Sequence, residues 1–201
     1  FLADKMAEVG IENEQPWCEL DSHAGDGDFG QAVAKGFRQV KREWNEIISD
    51  HMNDIGDFID AVSMVIMENC GGASGPIWGS TFRAAGKSTS GKKELSVKDI
   101  AQMLQAAVKG VQDTGERSFG RGAVVGDKTL IDALVPCADE WTACADEDTD
   151  LKTAFDPYGK SRNRRRKIDR ISRCRSICTW TDLYGACRDS EIMNSGYVSF
   201  F

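Results

Sequence analysis

Three carboxylates crowd into residues 20–30, LDSHAGDGDFG, where Asp21, Asp26 and Asp28 fall within eight positions and alternate with glycines. Like charges a few ångströms apart repel and raise one another's pKa, so such a group persists best where a hard divalent cation offsets it. Magnesium suits the set, because it takes oxygen ligands, keeps several waters and is usually shared between carboxylates and nucleotide phosphates. An EF-hand would need a run of ligands ending in Glu twelve positions on, which Gln31 and Ala32 do not supply. Asp and Gly are also ordinary turn residues, and by spacing alone a solvated acidic turn explains the segment as well as a cation site does.

Two further segments have the composition of ligand loops. Gly71-Gly72-Ala73-Ser74-Gly75-Pro76 offers small residues that admit a ligand to the backbone and a hydroxyl at Ser74, although a plain interhelical turn would read the same way. Gly126-Asp127-Lys128-Thr129-Leu130 places a capping Asp, a cation and a hydroxyl at an expected helix start; a cap accounts for Asp127, and Lys128 reads first as a solvated charge. Gly86-Lys87-Ser88 resembles the end of a Walker A loop, but Thr81 stands where that motif requires glycine.

Helices must position these loops. Val33, Phe37, Val40, Trp44, Ile47 and Ile48 recur every three or four residues and predict one long amphipathic helix over 30–50. Ile55, Phe58, Ile59, Val62 and Ile66 predict a second, ending at Gly71-Gly72. Ser96 and Asp99 form a capping-box pattern before a third, carrying Ile100, Met103, Leu104, Ala107, Val108 and Val111. Asp127 is expected to cap a fourth, with Leu130, Leu134, Cys137, Ala138 and Trp141 on one face and Pro136 bending or interrupting it. No stretch alternates as a strand does, so the expectation is an all-α bundle with glycine-rich loops at 25–30, 71–79 and 115–126. Loops and helix amino termini gathered at one end would present backbone N–H groups to phosphate.

The 201 residues suffice for one substantial core. No apolar run approaches the ~20 residues that cross a bilayer, and the acidic opening FLADKMAEVG does not suit a secretory leader, so no membrane association and a cytoplasmic location are expected. A net charge of -7 argues against nucleic acid as a partner. That average hides an asymmetry: residues 160–175, KSRNRRRKIDRISRCR, hold nine of the 25 basic residues. Seven cysteines without paired C-x-x-C spacing read as reduced thiols, with Cys70 and Cys137 expected to pack helices.

Taken together and in order, LDSHAGDGDFG, GGASGPIWG and GDKTLIDALVP resemble the DhaL family, the nucleotide-binding subunit or domain of dihydroxyacetone kinases. The resemblance covers about residues 1–156 and implies an antiparallel barrel of eight helices with the nucleotide at one end. It implies that Asp21, Asp26 and Asp28 hold two magnesium ions bridging the phosphates of ADP or ATP. Phe29, Gly30, Gln31, Ala32, Ala73 and Ser74 would line the nucleotide, with Gly122 and Leu130 around base and ribose. A DhaK-like partner would hold dihydroxyacetone or a similar keto-sugar, and a phosphotransferase-system protein of the DhaM type is a possible phosphoryl donor; a homodimer is a further association the reading admits. The residues agree in offering cation ligands and loops but no nucleophile or sugar pocket, and phosphoryl transfer asks mainly for positioning and charge neutralisation.

Two features depart from the family. Phe29 stands where the family usually has His and cannot hydrogen-bond a phosphate. The family's closing segments, an Arg-containing GERS-type stretch and an Asp-Pro-Gly turn, have no counterpart after residue 156, and Gly115-Glu116-Arg117-Ser118 lies too early to be equated with the former. The composition shifts abruptly from Lys160, so residues 157–201 are expected to be an atypical basic tail. A frameshift near residue 158 would disrupt the last helix of the barrel. The alternatives to a kinase subunit are the nucleotide domain of a fatty-acid kinase, which belongs to a longer chain, and a nucleotide-sensing regulatory module.

Overall fold

A computed structural model describes residues 2–23, 25–127 and 129–155. The atypical tail, the frameshift expected near residue 158 and the side chain of Lys128 lie outside them. Every regular element among the described residues is a helix: α1 (Leu2–Glu12), α2 (Glu14–Asp21), α3 (Phe29–Arg42), α4 (Trp44–Asp50), α5 (Ile55–Asn69), α6 (Ser74–Ser88), α7 (Val97–Phe119), α8 (Ile131–Asp146) and the single turn α9 (Leu151–Ala154). The all-α class expected from the periodicity is the one observed.

Capping fixes several boundaries. The Asp54 side chain accepts the Asp57 amide at the start of α5, and Ser96 and Asp99 complete the reciprocal capping box at the start of α7. The apolar stripes then assemble one continuous core. Val33, Phe37 and Val40 of α3 meet Ile55, Phe58, Val62 and Ile66 of α5, Trp78 and Phe82 of α6, Ala107, Val108 and Val111 of α7, and Leu134, Ala138 and Trp141 of α8. The Phe37 ring lies edge-on to both Trp78 and Phe82, with centroids 6.4 and 6.3 Å away.

Five expectations are corrected. The single helix over 30–50 is two, because the chain turns at Glu43 (φ −89°, ψ 4°), which brings Trp44 edge-on to Phe58 at 5.7 Å. The glycine loop at 71–79 is much shorter, since α6 begins at Ser74: small residues buried against α5 suit a tightly packed helix as well as a loop. The third loop starts at Gly120 rather than 115, because α7 carries on to Phe119. Asp127 does not cap α8, whose N-cap is Leu130, and Pro136 does not interrupt that helix. Proline removes only one hydrogen bond there, near the amino-terminal end, while the buried face of α8 keeps its packing.

Helix direction decides where the loops fall. Ile55 at the start of α5 donates its amide to the Lys92 carbonyl (2.8 Å), while Gly71 just past its end donates to Ala32 in the first turn of α3 (3.2 Å). Arg83 late in α6 reaches Asp60 early in α5 (3.7 Å), and Gln105 of α7 reaches Asp139 of α8 (3.2 Å). Neighbours therefore run antiparallel. The α2–α3, α5–α6 and α7–α8 connections consequently share one end of the bundle.

Candidate functional site

At that end, α2 stops at Asp21 and α3 begins at Phe29, leaving residues 22–28 to turn the chain. Asp21 organises the turn from both ends of its own residue: its carbonyl accepts the Gly25 amide (2.7 Å), and its carboxylate accepts those of Gly27 (2.9 Å) and Phe29 (3.4 Å). Gly27 adopts φ 79°, a left-handed conformation that side chains resist. Gly30 meets a stricter demand. A Cβ there would stand 1.9 Å from the Glu14 carbonyl oxygen, so α2 and α3 touch backbone to backbone immediately beneath the loop.

The turn brings ligand oxygens of Asp21, Asp26 and Asp28 within 4.8 Å of one another, with Asp21 half-buried and the others exposed. The Asp26 charge, followed by partial desolvation, a hydrogen bond with Asp26 and the Asp21 charge, holds the Asp28 carboxyl above the ordinary carboxylate range. Among the described residues, no ion pair includes any of the three. Chemically this is a cluster of hard oxygen donors without a counter-charge among the described residues, a donor set of the kind that magnesium takes.

Of the other candidates, Phe29, Gly30, Gln31 and Ala32 form the first turn of α3. The Phe29 ring is committed to the core against Trp17, at 6.0 Å between centroids, so Phe29 presents its backbone rather than a polar side chain. The Gly71–Ala32 hydrogen bond sets the α5–α6 connection on that turn, placing exposed Ala73 and half-buried Ser74 next to it along the chain. Gly122 and Leu130 lie in the α7–α8 connection at the same end. No hydrogen bond or ion pair among the described residues joins them to the acidic cluster.

Two participants were not singled out from sequence. Cys18, one turn before Asp21, accepts the Gln31 amide on its sulfur (3.3 Å) and so stabilises the start of α3; nothing in the spacing marks it. Asp132 accepts the amides of Gly126 (2.7 Å) and Thr129 (2.8 Å) and holds the third loop. Its signal was present as Thr129-x-x-Asp132, the hydroxyl-to-carboxylate spacing of a capping box.

Comparison with known proteins bears on this arrangement. The chain is 35% identical over 139 residues to the ADP-binding subunit DhaL of a PEP-dependent dihydroxyacetone kinase from Listeria innocua serovar 6a, covering 68% of this chain and 61% of that protein. It is 28% identical over 137 residues to the corresponding Escherichia coli K12 subunit, with the same coverages. The chain thus spans about three-fifths of these relatives. Its fold is similar to that of the dihydroxyacetone kinase from C. freundii crystallised with AMP-PNP and Mg2+, with a TM-score of 0.66, 21% identity, and coverage of 94% of this chain and 33% of that one. Residues 23–164 match the DAK2 domain, a match that takes in Asp26, Asp28 and all three glycine-bearing connections, and the chain belongs to the DAK2-domain family.

Proposed function

We propose that the chain is the nucleotide- and magnesium-binding subunit of a dihydroxyacetone-kinase-type phosphotransferase. The observation that carries this reading is the trio Asp21, Asp26 and Asp28, whose ligand oxygens lie within 4.8 Å of one another and which forms no ion pair among the described residues. The names of the relatives as ADP-binding subunits support it, as does the fold shared with a kinase crystallised with AMP-PNP and Mg2+.

In this reading the three carboxylates hold two magnesium ions, which when bound neutralise the nucleotide phosphates and draw charge from the transferring group. Asp21 keeps the loop shaped through the Gly27 and Phe29 amides while offering an oxygen of its own. Gly30, Gln31 and Ala32 with the Phe29 backbone, and Ala73 and Ser74 across from them, border the phosphates. Gly122 and Leu130 border base and ribose. The acceptor, dihydroxyacetone or a similar keto-sugar, is held by a DhaK-like partner, and the bound ADP is rephosphorylated by a DhaM-like donor, as the PEP dependence named for the relatives suggests. No observation favours the fatty-acid-kinase or regulatory-module readings over this one.

Calorimetric titration with ADP, with and without magnesium, tests the proposal. Binding is expected only with magnesium, and Asp26→Asn is expected to remove most of it. Binding that is indifferent to the metal, or equal in the variant, would overturn the assignment.

A further inference from the structure

Three of the described helices are capped by the residue that precedes them. The Asp54, Ser96 and Asp150 side chains accept the amides of Asp57 (2.9 Å), Asp99 (3.2 Å) and Thr153 (3.0 Å), each three positions on, and all three N-cap residues have an extended backbone. Helix α3 departs from that arrangement. Its N-cap, Asp28, has a helical backbone (φ −102°, ψ −7°), and the Asp28 carboxylate makes no capping hydrogen bond. The corresponding amide, that of Gln31, donates instead to the Cys18 sulfur of α2 (3.3 Å), and the Phe29 amide donates to Asp21. The close approach of the two helices brings Cys18 there: a Cβ at Gly30 would stand 2.9 Å from the Cys18 backbone nitrogen. An unsatisfied amide in the first turn draws an N-cap aspartate toward it. With the Gln31 amide already occupied, the Asp28 carboxylate is released from that pull and stays beside Asp21 and Asp26.

We infer that Cys18 is a positioning residue for the cation site: its sulfur takes over the capping contact of α3 and so leaves the N-cap carboxylate of Asp28 for the metal. The inference rests on the proposed magnesium reading and adds to it a residue that acts through Asp28 rather than on the ion.

The test titrates magnesium in saturating ADP by calorimetry and follows thermal unfolding of the metal-free protein by circular dichroism. In Cys18→Ala the Gln31 amide loses its acceptor and Asp28 turns back to cap its own helix. Magnesium affinity is expected to fall about three- to tenfold, the range that one hydrogen bond spans. The metal-free Tm should stay within about 2 °C of wild type, because one cap replaces another. Cys18→Ser, whose hydroxyl is again an acceptor, should recover most of the affinity. Asp28→Asn should cost less affinity in the Cys18→Ala background than alone, since that carboxylate has already left the cluster. Unchanged magnesium affinity in Cys18→Ala overturns the inference. So does a joint loss of Tm and affinity that Cys18→Ser does not recover, which marks a purely structural role. A wild type that binds ADP without regard to magnesium removes the proposed reading and this assignment with it, an outcome visible before any variant is made.

Discussion

Replacing Asp26 by Asn isolates charge repulsion from architecture. Asp21 holds two loop amides and Asp28 occupies the N-cap of α3, whereas Asp26 accepts no backbone amide among the described hydrogen bonds. Two unit charges at the observed limit of 4.8 Å repel by ~0.9 kcal/mol in water, and screening at physiological ionic strength leaves about half of that. With two acidic neighbours, removing the Asp26 charge should stabilise the metal-free protein by about 1 kcal/mol. For a chain of this size that raises Tm by about 2–4 °C. In magnesium and ADP the sign reverses. A ligand at a hundred times its Kd stabilises by about 2.7 kcal/mol, and the variant should lose most of that gain because it lacks a ligand oxygen of full charge. Thermal unfolding followed by circular dichroism, first in chelator and then in magnesium with ADP, reads both effects, and 1 M salt should shrink the first. A lower Tm for the variant in chelator refutes the electrostatic reasoning. An undiminished ligand shift refutes the metal assignment.

Three other outcomes are expected. Gly30→Ala forces α2 and α3 apart at the Glu14 carbonyl, and should cost at least about 1–3 kcal/mol in denaturant unfolding, as overpacking against backbone does. The Cys70 thiol, pushed up to about 11 by burial, should stay unreactive toward a thiol reagent at pH 8 in the native protein and react once it unfolds. The Val124 amide and Arg121 hold the Asp127 carboxyl below its ordinary 3.8, so its contribution to the loop is complete above that pH and fades as pH falls through the depressed value. The Val124 amide resonance should accordingly titrate with a midpoint below 3.8, and that transition should vanish in Asp127→Asn.

Sequence periodicity revealed the buried faces because burial requires repeats of three or four residues. Val33, Phe37, Ile59, Val62, Ile100, Val111 and Leu134 all lie in the core as that pattern demands. Boundaries were less legible where local chemistry is ambiguous. Gly75 and Gly79 read as loop residues, but they sit in α6 pressed against Met67, a contact that only the tertiary structure supplies. Asp127 looked like a cap because a carboxylate before an apolar stripe usually is one; here it turned back to Val124, and Asp132 did the anchoring. The acidic turn was visible as a crowd of like charges. That its members converge depends on Asp21 reaching forward to Gly27 and Phe29, which no spacing rule foretells.

The contact at Gly30 has a bearing on ion choice. With α2 and α3 pressed together there, the two helices that carry Asp21 and follow Asp28 are docked against each other, so in the proposed reading a cation meets carboxylates whose supporting helices are already in contact. A set of three carboxylates in that reading suits a small octahedral ion that brings its own waters. Calcium, which takes six to eight oxygens at longer range, would have to draw more of its shell from bidentate carboxylates or from water.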